Sequence, residues 1–148
     1  MAENIYLAGP FFNDDQIKRI SKVEEKLRAN PTIKQIFSPR EHQHDEFEFG
    51  TREWGKVVYA GDIEALEEAD AIVAIHDYEG ENVDPGTAME IGFAIKKGIP
   101  VIIYQENTDV TANIMLVMPL RAHITNVDDL ATYDFNNYPA IPYEGKLI

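Results

Sequence analysis

Apolar residues along this chain fall into two alternating regimes. Runs such as Ile5-Tyr6-Leu7-Ala8, Ala71-Ile72-Val73-Ala74-Ile75 and Val101-Ile102-Ile103-Tyr104 are apolar throughout, as strands covered on both faces are. Between them lie stretches where apolar residues recur every three or four positions, as Ile17, Ile20, Val23 and Leu27 do, with Lys and Glu on the other side. The pattern predicts strands over Asn4–Ala8, Ile36–Ser38, Ala71–Ile75, Val101–Tyr104 and Ala122–Thr125. It predicts helices over Asn13–Ala29, Trp54–Ala69, Pro85–Lys97 and, briefly, Thr111–Met118. Such alternation builds an α/β fold: a doubly wound, flavodoxin-like parallel sheet of about five strands with helices on both faces. From Pro39 to Thr51 the chain turns polar and charged, a surface loop long enough that a function is to be expected of it. The segment after Thr125 reads as extended and lying on the surface.

One position breaks the helical pattern. Asp84 reads as an N-cap and Pro85 as the first helical residue, and Gly98 and Pro100 stop the helix. Inside it stands Glu90, between Met89 and Ile91, with no salt-bridge partner nearby and with Gly86, Ala88, Gly92 and Ala94 leaving room around it. A carboxylate flanked by apolar residues and space is a candidate nucleophile or general base. An amphipathic helix with Glu90 facing water is the plainer alternative.

The length, 148 residues, suits one domain with its own core, spanning 1–148. With 45% hydrophobic residues and neither repeats nor low-complexity runs, the chain reads as globular. It shows no transmembrane run and no signal-peptide pattern, so a cytoplasmic location is expected. The absence of cysteine excludes disulfides, a thiol nucleophile and thiolate metal sites. Thirteen Lys and Arg against 26 Asp and Glu give a formal charge of -13. Such a surface repels phosphate backbones and anionic membranes, so neither nucleic acid nor membrane is expected as a partner, and a neutral small substrate is favoured.

Ligands of an open parallel sheet bind beyond the carboxyl ends of its strands. Gly9-Pro10-Phe11-Phe12, the loop with Gln43, and the segment Asp77 to Asp84 all emerge there, so the Glu90 helix opens onto the same crevice as Tyr6 and Phe12. Tyr6 can hydrogen-bond a carboxylate in that crevice, or simply pack. Asp62 is an unfavourable helical residue by propensity and faces either the crevice or solvent. His42 and His44 have an alternating spacing that can bind a metal, but no third ligand stands at a telling distance, and no metal is expected. No phosphate loop, dinucleotide fingerprint or serine elbow is present. A phosphorylated receiver domain would need paired acids after the first strand, where this chain has Ala8-Gly9-Pro10.

Taken together, several ordered blocks resemble the nucleoside 2-deoxyribosyltransferase family. They are Ile5 to Phe12, Trp54 with Tyr59-Ala60-Gly61-Asp62, Asp84 to Ala94, Asn113-Ile114-Met115 and Tyr143-Glu144-Gly145. The resemblance runs nearly end to end, and it implies exchange of purine or pyrimidine bases on 2'-deoxynucleosides, with free nucleobases as co-substrates and without cofactor. On it, Glu90 corresponds to the nucleophile, Asp84 and Asp62 to the acids that hold the base and manage its proton, and Tyr6 to the tyrosine that orients the nucleophile. Phe12, Gln43 and Trp54 are expected on the substrate side. Asn113 and Met115 match residues lent to a neighbouring subunit, which implies an oligomer, commonly a hexamer, and the carboxylate of Ile148 is expected to help bind the sugar. Pro10 and Phe11 stand where some relatives carry Gly and Trp, and Ile148 where they carry Tyr. A deoxynucleoside monophosphate N-glycosidase and a nucleoside-binding module without turnover are the rival readings.

Overall fold

The computed structural model describes residues 2–148, with side chains from residue 4 onward. Five parallel strands form one sheet in the order β2-β1-β3-β4-β5, the flavodoxin-like winding. They are β1 (Ala2–Ala8), β2 (Ile33–Phe37), β3 (Ala71–Ile75), β4 (Val101–Tyr104) and β5 (Ala122–Ile124). Four helices connect them: α1 (Asp14–Arg28), α2 (Arg52–Glu68), α3 (Pro85–Lys97) and the short α4 (Ile114–Val117).

Strand alternation decides which helix each side chain meets. Ile5 and Leu7 of β1 join Val73, Ile75 and Ile102 in a core covered by Ile20, Val23 and Leu27 of α1. Tyr6 and Ala8 point the other way, into a second core with Leu66 of α2, Ile91 and Ala94 of α3 and Val117 of α4. Tyr6 is thus delivered to the face that carries α2 and α3.

Three expectations are corrected. The helix expected over Thr111–Met118 is confined to Ile114–Val117, because Asn113 caps it and Ala112 is bridged to Leu147. The second strand begins at Ile33, not Ile36, and ends at Phe37. It is the edge of the sheet, and exposed Lys34 and Gln35 interrupt its apolar signal. The segment after β5 is not confined to the surface. A 3-10 helix, Val127–Ala131, is capped by Asn126, and Leu130, Tyr133 and Phe135 are buried in the α1-side core. Asn30 holds this segment from across the fold, its Nδ2 donating to the carbonyls of Leu130 and Tyr133 at 2.8 Å each.

Candidate active site

A cavity of about 490 Å3 opens beyond the carboxyl end of β1. Its floor begins with Gly9. A Cβ there would come within 2.9 Å of Ile75 Cδ1, so only glycine lets the chain leave β1 so close to β3. Phe11 then packs inward on the α1-side core, while Phe12 stands over the opening, 67% exposed.

The second wall is α2. Thr51 caps it, its Oγ1 accepting from the Trp54 amide at 3.3 Å. Trp54, Val58 and Asp62 follow at successive intervals of four, one stripe on one helix face, and all three line the cavity. The loop before α2 adds Pro39, Gln43 and Phe49. The Phe49 ring lies against Trp54 with centroids 4.6 Å apart, and Trp54 Nε1 donates to the Gln43 carbonyl at 3.0 Å.

The third wall is the start of α3. Asp84 caps the helix through Oδ2, which accepts from the Thr87 amide at 2.9 Å and the Thr87 hydroxyl at 3.0 Å. Glu90, one turn further in, is half-buried in the cavity lining. The Tyr6 hydroxyl donates to Glu90 Oε2 from behind, with the Tyr6 ring fully buried.

Three carboxylates therefore share one cavity. Burial pushes Glu90 up to about 8, with the negative charges of Asp62 and Asp84 adding to the rise and the Tyr6 hydrogen bond opposing it. Burial likewise raises Asp62 to about 6, against a lowering by His44. The Tyr6 phenol is held far above the ordinary tyrosine range by burial and by Glu90 and Asp62, so it stays a donor at every working pH. Raised proton affinity at Glu90 and Asp62 suits acid–base chemistry on a nitrogenous leaving group near neutrality.

The structure brings Glu90, Asp84, Asp62, Phe12, Gln43 and Trp54 to one cavity, with Tyr6 directly behind Glu90. It does not bring Asn113, Met115 and Ile148 there. These three line a separate cleft of about 540 Å3 with Glu81, Asn82 and Thr111. Asn113 caps α4, accepting from the Met115 amide at 2.9 Å, and the Ile148 amide donates to the Ala112 carbonyl at 3.0 Å. The Met115 and Ile148 side chains are both 73% exposed. Phe49 and Val58 escaped sequence reasoning. The interval of four from Trp54 to Asp62 points to Val58, whereas Phe49 sits in a charged loop without any period. His42 stacks on Phe37 at 4.3 Å and His44 pairs with Glu46 at 3.0 Å. Among the described residues no three potential metal ligands cluster, and no helix is long and apolar enough to cross a membrane.

The fold and the cavity define an α/β protein of flavodoxin-like winding with a carboxylate-lined crevice at its strand ends. A family profile described as nucleoside 2-deoxyribosyltransferase matches residues 5–138. The nucleoside deoxyribosyltransferase of Limosilactobacillus fermentum is 30% identical over 148 residues, covering 91% of this chain and 87% of that protein. That of Lactobacillus leichmannii is 25% identical, with 98% of each chain covered. Among solved structures, the 2-deoxyribosyltransferase from Bacillus psychrosaccharolyticus superposes with a TM-score of 0.85 at 39% identity, covering 95% of this chain and 99% of that one. A conserved protein of Enterococcus faecalis, 24% identical with a TM-score of 0.71, shares the fold. The chain belongs to the nucleoside 2-deoxyribosyltransferase family, whose members are pentosyltransferases.

Proposed function

We propose that this protein exchanges purine and pyrimidine bases on 2'-deoxynucleosides by double displacement, with Glu90 as the nucleophile. The observation that carries the reading is a carboxylate held by a buried tyrosine hydroxyl and facing a cavity that two further acids share. Glu90 first gives up its proton to Asp62, and one oxygen of the resulting carboxylate attacks the anomeric carbon as the bond to the base nitrogen breaks. The bonding pair leaves with that nitrogen, which takes a proton from Asp62 or Asp84. The deoxyribose is left esterified to Glu90. A second base then attacks the same carbon, its N–H proton returns to the acid, and Glu90 departs as carboxylate. Two inversions retain the configuration, the logic of a retaining glycosidase. The reaction needs no cofactor. Tyr6 positions Glu90 and does not touch substrate.

Phe12, Phe49 and Trp54 supply aromatic faces for the base, and Gln43 its amide. Asn113, Met115 and Ile148 lie in the other cleft with two side chains freely exposed, which suits a contribution to a neighbouring subunit's crevice in an oligomer, a hexamer by family precedent. Mixing inactive Glu90→Ala protein with an inactive Asn113 variant should then restore activity on subunit exchange.

The deciding experiment incubates the protein with thymidine and adenine. Deoxyadenosine and free thymine by chromatography, with a deoxyribosyl adduct in the intact mass, support the reading. Deoxyribose without deoxyadenosine would assign a hydrolase, and no product a binding module.

A further inference from the structure

From residue 39 to residue 65 no residue is buried, so the wall carrying Gln43, Phe49 and Trp54 has no apolar core of its own. Half-buried Ile63 and Ala65 at its far end pack against the α2–α3 core, but around Gln43 its hold on the rest of the protein is mainly polar, and one contact is deep. Glu24, on α1, is 2% exposed, and a carboxylate so placed has to be matched. Its Oε2 accepts from Ser38 Oγ at 2.6 Å and from Arg40 Nε at 3.3 Å, and Arg40 Nη2 donates to its Oε1. From Arg40 the contacts run outward. The Arg40 carbonyl accepts from Gln43 Nε2 at 2.8 Å, and the Gln43 carbonyl accepts from Trp54 Nε1 at 3.0 Å. A main-chain carbonyl can only accept, so Gln43 meets it with its NH2 group, and the Gln43 side chain is pinned where it lines the cavity.

We propose that Arg40, gripped by Glu24, is a positioning residue for base exchange: it sets where Gln43 and Trp54 stand on the base side of the crevice. The proposal rests on the reading of the cavity as a base-exchange site. Arg40 suits the task because its planar fork engages both oxygens of Glu24, which a lysine cannot do. The neighbouring pair, Arg28 with Glu41, also ties α1 to this segment but is 49% and 38% exposed, and an exposed pair holds little.

The chain has a single tryptophan, Trp54, so its fluorescence reports this wall independently of turnover. Arg40→Lys keeps a positive charge beside Glu24 and so avoids an orphaned buried carboxylate. It should shift Trp54 emission, open Trp54 to acrylamide quenching, and raise KM for the acceptor base ~3- to 10-fold with kcat nearly unchanged. Paired Glu24→Gln and Arg40→Gln substitutions, which remove both charges at once, should do the same, while Glu41→Gln should do neither. A merely structural loss would lower the active fraction, and hence kcat, and leave KM alone. Wild-type emission and quenching in Arg40→Lys, or an unchanged KM despite a moved Trp54, overturns the proposal. If the wild type itself fails to exchange bases, the functional reading falls, and the fluorescence arm still decides whether Arg40 holds the wall.

Discussion

The two walls of the crevice are built on opposite principles. On the α3 side, Asp84, Thr87, Ile91 and Ala94 are buried around Glu90, and Tyr6 braces it from a position with no exposure at all. On the α2 side, the whole stretch from residue 39 to residue 65 lacks a buried residue, and hydrogen bonds and an ion pair add to the packing of half-buried Ile63 and Ala65 in holding it. Buried packing permits few alternative arrangements, whereas solvent-exposed polar contacts open at little cost. On the proposed reading, the acid that meets one carbon atom sits on the rigid wall, and the aromatic and amide groups that meet bases of different shape sit on the yielding one. Asp62 bridges the two, rooted on α2 but facing Glu90 closely enough to raise its proton affinity.

The sharpest break between the walls is expected at Glu90. If it forms the covalent ester, Glu90→Ala should lose at least ~10³ in transfer rate while folding normally, because the covalent step itself is removed. Intact-mass analysis should find the deoxyribosyl adduct in the wild type and none in the variant. An active Glu90→Ala enzyme would end the double-displacement reading.

Asp62 tests the bridge. Asp62→Asn should slow exchange of ordinary bases by ~10²-fold, the usual scale of general acid catalysis. Turnover of a deoxyribosyl donor whose leaving group needs no proton should fall far less. Equal losses on both donors would make Asp62 a positioning group. Asp84→Asn is the parallel test for Asp84, since asparagine preserves the helix cap that Asp84 also supplies.

Phe49 probes the yielding wall alone. It is 80% exposed and touches Trp54, so its removal costs the fold little. Phe49→Ala should raise KM for bases ~5- to 10-fold, the loss of roughly one stacking contact, and leave kcat within about a factor of two. Steady-state kinetics with a purine and a pyrimidine acceptor check this. A fall in kcat with KM unchanged would place Phe49 on the chemical side of the crevice.

The same contrast explains how much was legible in advance. β1, β3 and β4 read as strands because a parallel strand covered on both faces is apolar without interruption. Glu90 stood out because a carboxylate among Met89, Ile91 and Phe93 has no local reason to be there. The yielding wall offered no such signal. Asp62 reads by pattern more readily as a solvent-facing residue, and only the approach of α2 to Tyr6 and Glu90 turns it inward. Phe49 owes its place to a loop closed by Trp54 and Gln43, contacts that no periodicity encodes. The tail carries little signal for a related reason. Leu130, Tyr133 and Phe135 sit among Asp, Asn and Thr, and what seats them is Asn30, a hundred residues away.

The smallest expected effect tests the rigid wall through stability. Glu90 has its pKa raised from 4.5 to about 8, chiefly by burial, so between these values the folded protein holds a proton that the unfolded chain has released. Stability therefore falls as pH rises through this window, since it rises with pH only where the unfolded state binds more protons. Below pH 4.5 both states are protonated and the group contributes nothing; above pH 8 the full cost of a buried charge is present. Asp62 adds a like-signed loss between about 4 and 6. Glu90→Gln removes the titration while keeping an acceptor for the Tyr6 hydroxyl. At fixed protein concentration the variant should match the wild type near pH 5. At pH 8.5 it should be more stable by about 1–2 kcal/mol, or ~3–6 °C in Tm. The background charge of -13 loads both proteins nearly alike, so the difference between their Tm–pH curves isolates Glu90. Parallel curves would mean that Glu90 is ionised and solvated in the free enzyme, and the contrast between a rigid, dehydrated wall and a yielding one would not extend to Glu90 itself.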